Sequence, residues 1–158
     1  MNSPIKSQSE LAFEKEVIEY LTQIGGVKQW EYKEKIKTTD QLWDNFKHIL
    51  EQNNRARLDY PLSITEFNQV KKIITAIETP YQAGQFLYGV NGVSEIEVDL
   101  DNGRHVFLTV FDQAQVGGGN TVYQIVNQIE RPKVMDGKPN RRFDITMLIN
   151  GLPILQIE

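Results

Sequence analysis

The sequence contains no cysteine and only two histidines, and these shortages limit the kinds of site that it can form. Without cysteine there is no disulfide and no thiolate zinc site, and only His48 and His105 could supply an imidazole ligand. Any bound metal would therefore sit on oxygen ligands, which suits Mg²⁺, Mn²⁺ or Ca²⁺.

Long apolar runs are also missing from the sequence. No stretch approaches the roughly 18 consecutive apolar residues of a membrane-spanning helix, and the N-terminal segment lacks the apolar core of a secretory signal. We therefore expect a cytoplasmic protein with no membrane partner.

The sequence also lacks an excess of positive charge, because 21 Asp and Glu outnumber 17 Lys and Arg and give a formal net charge of −4. This balance argues against a protein that coats nucleic acid, since neutralising phosphates requires clustered Lys and Arg. It does not exclude a metal-dependent nuclease, because such an enzyme needs carboxylates at its centre and a larger assembly can hold the duplex.

The patterns that are present predict helices first and strands afterwards. Apolar residues recur at helical spacing in residues 9–24, in residues 39–53, and in a third helix that begins at the capping box Ser63-x-x-Glu66 and is limited by Pro80. After Gly92 the pattern alternates between apolar and polar residues, as in half-buried strands. We predict an α+β fold in which N-terminal helices precede a mixed or antiparallel sheet, with residues 1–158 forming a single domain.

The last 17 residues, "RFDITMLINGLPILQIE", predict a β-hairpin with one acid on each strand. A two-residue loop at Asn150–Gly151 would pair Ile149 with Leu152 and set Asp144 opposite Ile157. Because side chains alternate between the two faces of a strand, Glu158 would then lie on the other face from Asp144.

A loop with an odd number of residues has the opposite consequence. It pairs positions whose numbers sum to an even value, which puts Asp144, Gln156 and Glu158 on one face. We predict this odd-membered loop, around residues 150–152, because Gly151 and Pro153 favour an irregular, longer loop. Two carboxylates from adjacent strands would then converge, which suits a divalent cation. The spacing alone leaves a second interpretation open, in which both acids simply face solvent on an edge hairpin.

One further acid lies on the first predicted helix. Stepping about 100° per residue from Phe13 places Glu14 between Leu21 and Ile18, within the apolar stripe. A carboxylate there needs a partner. Glu14 could reach a metal from this helix, or it could extend to solvent or bind a lysine at the edge of the stripe.

Three stretches carry a resemblance to a known family. "RRFDITMLINGLPILQIE" resembles a segment of type I restriction endonuclease R subunits that reads Asp, a hydrophobic run, Asn-Gly-Leu-Pro, a second run, then Glu-Leu-Lys. This is the family's form of the PD-(D/E)xK nuclease motif. "NTVYQIVNQIE" resembles the strand that precedes the motif, and "SELAFEKEVIEYL" is similar to the first helix of these subunits.

The resemblance implies a restriction-endonuclease-like fold and a DNA-cleaving domain at the N-terminus of a longer motor subunit. Asp144 and Glu158 would be its catalytic residues and bind Mg²⁺, with Glu14 as a further candidate ligand and Gln156 beside a nearby water molecule. The implied partners are double-stranded DNA and the modification and specificity subunits, and ATP would be used only in motor domains that this sequence does not include. The motif's lysine would follow two residues after Glu158, so we expect a chain truncated at its C-terminus and inactive as given.

Two other functions remain open from the sequence. The chain could be a non-catalytic docking module whose acids only make the hairpin soluble. It could also be a nuclease of the same fold that acts on RNA or works as a separate repair enzyme.

Overall fold

The computed structural model describes residues 8–24, 29–116, 119–130 and 142–157, with the backbone alone described at residues 142–144. The chain divides into two compact units, one made of residues 1–45 and 122–158 and the other of residues 46–121. Every helix in the described ranges is too short or too polar to cross a bilayer. The prediction that the chain is a single domain stays a prediction.

Four helices and six strands form the described fold. In chain order they are α1 (Gln8–Gln23), β1 (Trp30–Tyr32), α2 (Thr39–Asn53), α3 (Ile64–Thr75), α4 (Pro80–Tyr88), β2 (Val93–Asp99), β3 (His105–Asp112), β4 (Tyr123–Glu130), β5 (Arg142–Ile149) and β6 (Leu152–Ile157). This composition confirms the predicted α+β class.

The first unit is built on a four-stranded sheet in the order β1-β4-β5-β6. β1 runs parallel to β4, whereas the β4–β5 and β5–β6 pairs are antiparallel, so the sheet is mixed, as the sequence predicts. Ile18 of α1 forms a buried cluster with Ile125 and Ile145. A separate buried cluster contains Val126, Ile129 and Leu148. Alternating side chains along β4 and β5 therefore supply two cores.

The second unit joins the β2–β3 hairpin to α3 and α4. The capping box is present as predicted, because the Ser63 side chain accepts from the Glu66 backbone and the Glu66 side chain accepts from the Ser63 backbone. The prediction for Pro80 is incomplete. α3 already ends at Thr75, and Pro80 begins α4, since proline at the first helical position gives up only an N–H that would be unpaired there.

The loop of the last hairpin differs from the prediction. Ile149 pairs with Leu152, so the loop has two residues, and both Asn150 and Gly151 have positive φ, at 51° and 81°. The odd-membered loop is therefore wrong. Turn chemistry explains this, because Asn-Gly favours the two-residue loop whose two central residues both have positive φ.

A β-bulge nevertheless changes the register farther along the hairpin. The pairing shifts between Met147 and Leu148, which leaves Ile154 as an extra residue in β6. Beyond the bulge, Ile145 pairs with Ile157. Ile157 thus lies opposite Ile145 and not opposite Asp144.

Candidate functional site

The structure describes little of the two acids of the last hairpin. Asp144 is part of β5, but only its backbone is described. Glu158 lies outside the described residues. Their roles stay predictions. Gln156 lies on β6 opposite Thr146, and its side chain is exposed to solvent.

The backbone of β4 shows which residue lies level with Asp144. Asn127 pairs with Ile145, and Ile129 pairs with Phe143. Gln128 and Asp144 are the two positions between these pairs. Gln128 is therefore the residue of β4 at the same level as the first acid of the motif.

Glu14 is buried, with only 5% of its surface exposed. Its Oε1 accepts a hydrogen bond from Nδ2 of Asn127 at 2.8 Å. Nε2 of Gln128 donates to both of its oxygens, at 3.2 Å and 2.9 Å. The alternative in which Glu14 extends to solvent is therefore wrong, and its carboxylate is held by the side chains of two adjacent residues of β4.

Gln128 has a backbone conformation that is uncommon for its residue type, with φ at 53°. Side chains on a regular strand alternate between faces, so Asn127 and Gln128 should point in opposite directions. Both nevertheless reach Glu14. Val126 and Ile129, three positions apart, share one apolar cluster, which also shows that the alternation changes at Gln128.

The side-chain oxygen of Asn127 has two donors of its own. The hydroxyl of Tyr32 donates to Oδ1 at 2.7 Å, and Nζ of Lys37 donates to Oδ1 at 2.5 Å and to the backbone oxygen of Asn127 at 2.9 Å. A lysine ammonium can only donate and an ionised carboxylate can only accept. The Asn127 amide therefore has its oxygen toward Lys37 and its nitrogen toward Glu14.

Burial and nearby negative charges shift the pKa values of both donors, Lys37 and Tyr32. The two effects oppose each other at Lys37 and add at Tyr32. Burial lowers the pKa of Lys37, and the negative charges of Glu14 and Glu34 partly oppose that change. Burial also raises the pKa of Tyr32, to which the charge of Glu34 adds, while the hydrogen bond to Asn127 acts in the other direction. The largest contribution to both shifts is the partial burial of these two side chains.

The sequence predictions missed Tyr32, Lys37, Asn127 and Gln128. A signal for two of them was present, because the adjacent polar pair Asn127–Gln128 interrupts an otherwise alternating strand. No local pattern marks Tyr32 or Lys37, since they reach β4 only through the parallel pairing of β1.

The described ranges also contain a second group of possible metal ligands, in the other unit. Ligand atoms of Glu97, Asp99 and His105 lie within 4.8 Å of one another on the β2–β3 hairpin. All three side chains are exposed, and His105 Nδ1 is paired with a carboxylate oxygen of Asp99. This arrangement is also what a solvated hairpin face produces, because Asp99 and His105 are direct cross-strand neighbours.

Comparison with known proteins identifies relatives along almost the whole chain. Residues 7–158 match the family described as the type I restriction enzyme R protein N terminus. The chain is 28% identical over 152 residues to the endonuclease subunit of the type I restriction enzyme SauMSSORF170P from Staphylococcus aureus strain MSSA476. It is 30% identical over 153 residues to the endonuclease subunit of SsaAORF53P from Staphylococcus saprophyticus. Each match covers 96% of this chain and 14% of the relative's length.

Proposed function

Because the chain belongs to the family of type I restriction enzyme R protein N-termini, we propose that it is the DNA-cleaving part of a restriction endonuclease subunit. The proposed reaction is Mg²⁺-dependent hydrolysis of a phosphodiester bond in double-stranded DNA. The observation that carries the proposal is the buried Glu14 carboxylate, which accepts a hydrogen bond from Gln128, the residue of β4 at the level of Asp144.

The chemistry of these residues fits a hard divalent cation. Glu14 offers carboxylate oxygens, which are the ligands that Mg²⁺ prefers, and its described hydrogen bonds to Asn127 and Gln128 come from neutral amides. We propose that the pairing of Ile145 with Ile157 continues by one residue, which would bring positions 144 and 158 opposite each other. Asp144, Glu158 and Glu14 would then be the ligands, and Gln156 would contact nearby water.

The chain's own residues would bind and orient the reactants. Asp144 and Glu158 would hold the cation, and the hydrogen bonds to Glu14 would keep a third carboxylate fixed beside them. A bound Mg²⁺ lowers the pKa of a coordinated water and stabilises the charge that develops on the phosphate. Lys37 adds a positive charge on the same side of β4.

The partners proposed for the longer protein follow from the family. The relatives are named as endonuclease subunits of type I restriction enzymes. We propose double-stranded DNA and the modification and specificity subunits as partners, and ATP as a ligand of motor domains outside this sequence. A subunit that cuts DNA would work in the cytoplasm.

Paramagnetic broadening by Mn²⁺ tests the metal site directly. Adding Mn²⁺ to the ¹⁵N-labelled chain should broaden backbone amide signals around Asn127 and Ile145, and Asp144→Asn should abolish this broadening. Asp99→Asn is the matched control, because it removes a carboxylate from the exposed group on the β2–β3 hairpin. If Asp99→Asn removes the broadening and Asp144→Asn does not, the metal binds the wrong unit and the proposal fails.

DNA cleavage is tested on the chain extended by Leu-Lys, which adds the lysine expected from the motif. The extended chain should nick supercoiled plasmid with Mg²⁺, and Asp144→Asn should reduce nicking to background. Absence of both metal binding and nicking would favour the docking module. Cleavage of RNA but not of DNA would favour the RNA nuclease.

A further inference from the structure

Two adjacent residues of β4 bind the same carboxylate, that of Glu14. A regular strand does not allow this, because adjacent side chains point to opposite faces. Asn127 and Gln128 both donate to Glu14, and the left-handed backbone at Gln128 makes this possible. This conformation is strained for a non-glycine residue, because Cβ comes too close to the following carbonyl oxygen. Such strain persists where the surroundings impose it, and it is concentrated at functional sites.

The donors themselves are held in place from the other side. Tyr32 and Lys37 both bind the side-chain oxygen of Asn127, which prevents the amide from turning over and commits its nitrogen to Glu14. The network therefore runs from Lys37 through Asn127 to Glu14. Both amides are neutral, so these hydrogen bonds fix the carboxylate without cancelling its negative charge.

From this geometry we infer that Asn127 and Gln128 are positioning residues that orient the Glu14 carboxylate toward a hard divalent cation at the level of Asp144. This inference rests on the proposed function. Groups that hydrogen-bond a metal-binding side chain fix its orientation, and losing one typically weakens metal binding about 10–100-fold.

Two substitutions at Gln128 remove its donor in different ways. Gln128→Met keeps a side chain of similar length without the amide. Gln128→Gly removes the amide as well, but glycine accepts positive φ at no steric cost, so this variant keeps the backbone conformation. The matched control is Gln124→Met, because Gln124 lies on the same strand, is even more buried than Gln128, and pairs its amide with Asn45 instead of Glu14.

The readout is Mn²⁺ affinity, measured by titrating the broadening of backbone amide signals in the 158-residue chain. We expect both Gln128 variants to bind Mn²⁺ about tenfold more weakly than the wild type or worse. Gln124→Met should lower the melting temperature while leaving the affinity unchanged. A purely structural role for Gln128 would instead make its variants behave like Gln124→Met.

The metal-free protein supplies an independent check. The side-chain amide signals of Asn127 and Gln128 should shift in Glu14→Gln, whereas that of Gln124 should not. If Mn²⁺ binding depends on Asp144 but is unchanged in both Gln128 variants, the inference is wrong and the proposed function stands. If Asp144→Asn leaves Mn²⁺ binding unchanged, the proposed function fails and the inference with it.

Discussion

Ile145 of β5 lies directly opposite Ile157 of β6, and both contact the apolar cluster that includes Ile18 of α1. Ile145 is only 2% exposed. Through this pair, β6 therefore packs against the same apolar cluster as α1. The same register determines which residues of β6 can approach Asp144.

Truncating Ile145 should destabilise the protein strongly. We expect Ile145→Ala to lower the free energy of unfolding by about 3 kcal/mol, because it leaves a cavity between α1 and the sheet. Urea denaturation measures the change. Ile154→Ala on the exposed bulge of β6 is the control, and it should change stability by less than about 0.5 kcal/mol. Equal losses in both variants would contradict the described register.

Replacing either of two glycines by alanine should change the stability of the protein, but in opposite directions. Gly151 has φ at 81° in the hairpin loop, so Gly151→Ala should destabilise the protein by about 1 kcal/mol. Gly84 lies inside α4 with open space around the position of a Cβ atom, so Gly84→Ala should stabilise it by about 0.5–1 kcal/mol. Thermal denaturation of both variants tests the prediction, and a shift of the same sign in both would refute it.

The Glu66 carboxylate should make stability depend on acid pH. The Glu66 carboxylate accepts hydrogen bonds from the backbone N–H groups of Ser63 and Asp101. These bonds, that of Ser63 most strongly, hold the pKa of Glu66 below the ordinary value of 4.5, although burial acts in the other direction. A lowered folded-state pKa gives stability that is complete above pH 4.5 and is lost as the pH falls through the folded-state value. Glu66→Gln should therefore be less stable than the wild type at neutral pH, with the difference shrinking in acid.

Denaturation between pH 7 and pH 3 measures this dependence. The control is Glu78→Gln, since Glu78 is an exposed acid just beyond α3. It should leave the pH profile of the wild type unchanged. A difference between Glu66→Gln and the wild type that stays constant over the whole range would show that charge plays no part.

Asn54 should be needed for the fold of the second unit. It is buried, its amide nitrogen donates to the backbone oxygens of Leu50 and Thr109, and its Oδ1 accepts from the Thr109 N–H. Asn54→Leu leaves the two Thr109 groups without these partners, so we expect a loss of about 2–3 kcal/mol. Hydrogen exchange at the Thr109 amide should accelerate, and an unchanged exchange rate would contradict this role.

The main elements of the fold could be predicted because their signals are local. The capping box at Ser63 and the alternation of β2, β3 and β4 each need only a few neighbouring residues. α4 was missed because it is short, contains Gly84 and has no buried residue that would produce an apolar stripe. Its first residue, Pro80, was therefore interpreted only as the limit of α3.

The candidate site was harder to predict because its geometry depends on distant parts of the chain. The Asn-Gly pair correctly indicates a two-residue loop, but the prediction favoured an odd loop on the strength of Gly151 and Pro153, which would have brought the two acids together. The bulge at Ile154, which changes the register instead, has no clear local signal. Likewise, the hydrogen bonds of Asn127 to Tyr32 and Lys37 exist only once β1 pairs with β4.

The parallel pairing of Trp30 with Tyr123 joins two segments that are separated in sequence by the whole of the second unit. Contacts so distant along the chain form slowly, because the intervening loop must close before they bring any stabilisation. The second unit is contiguous in sequence, so all of its residues are synthesised before β4 and β5. The sheet that carries Asn127, Gln128 and Asp144 needs β4 and β5, so we expect the candidate site to assemble only after the residues of the second unit have been synthesised.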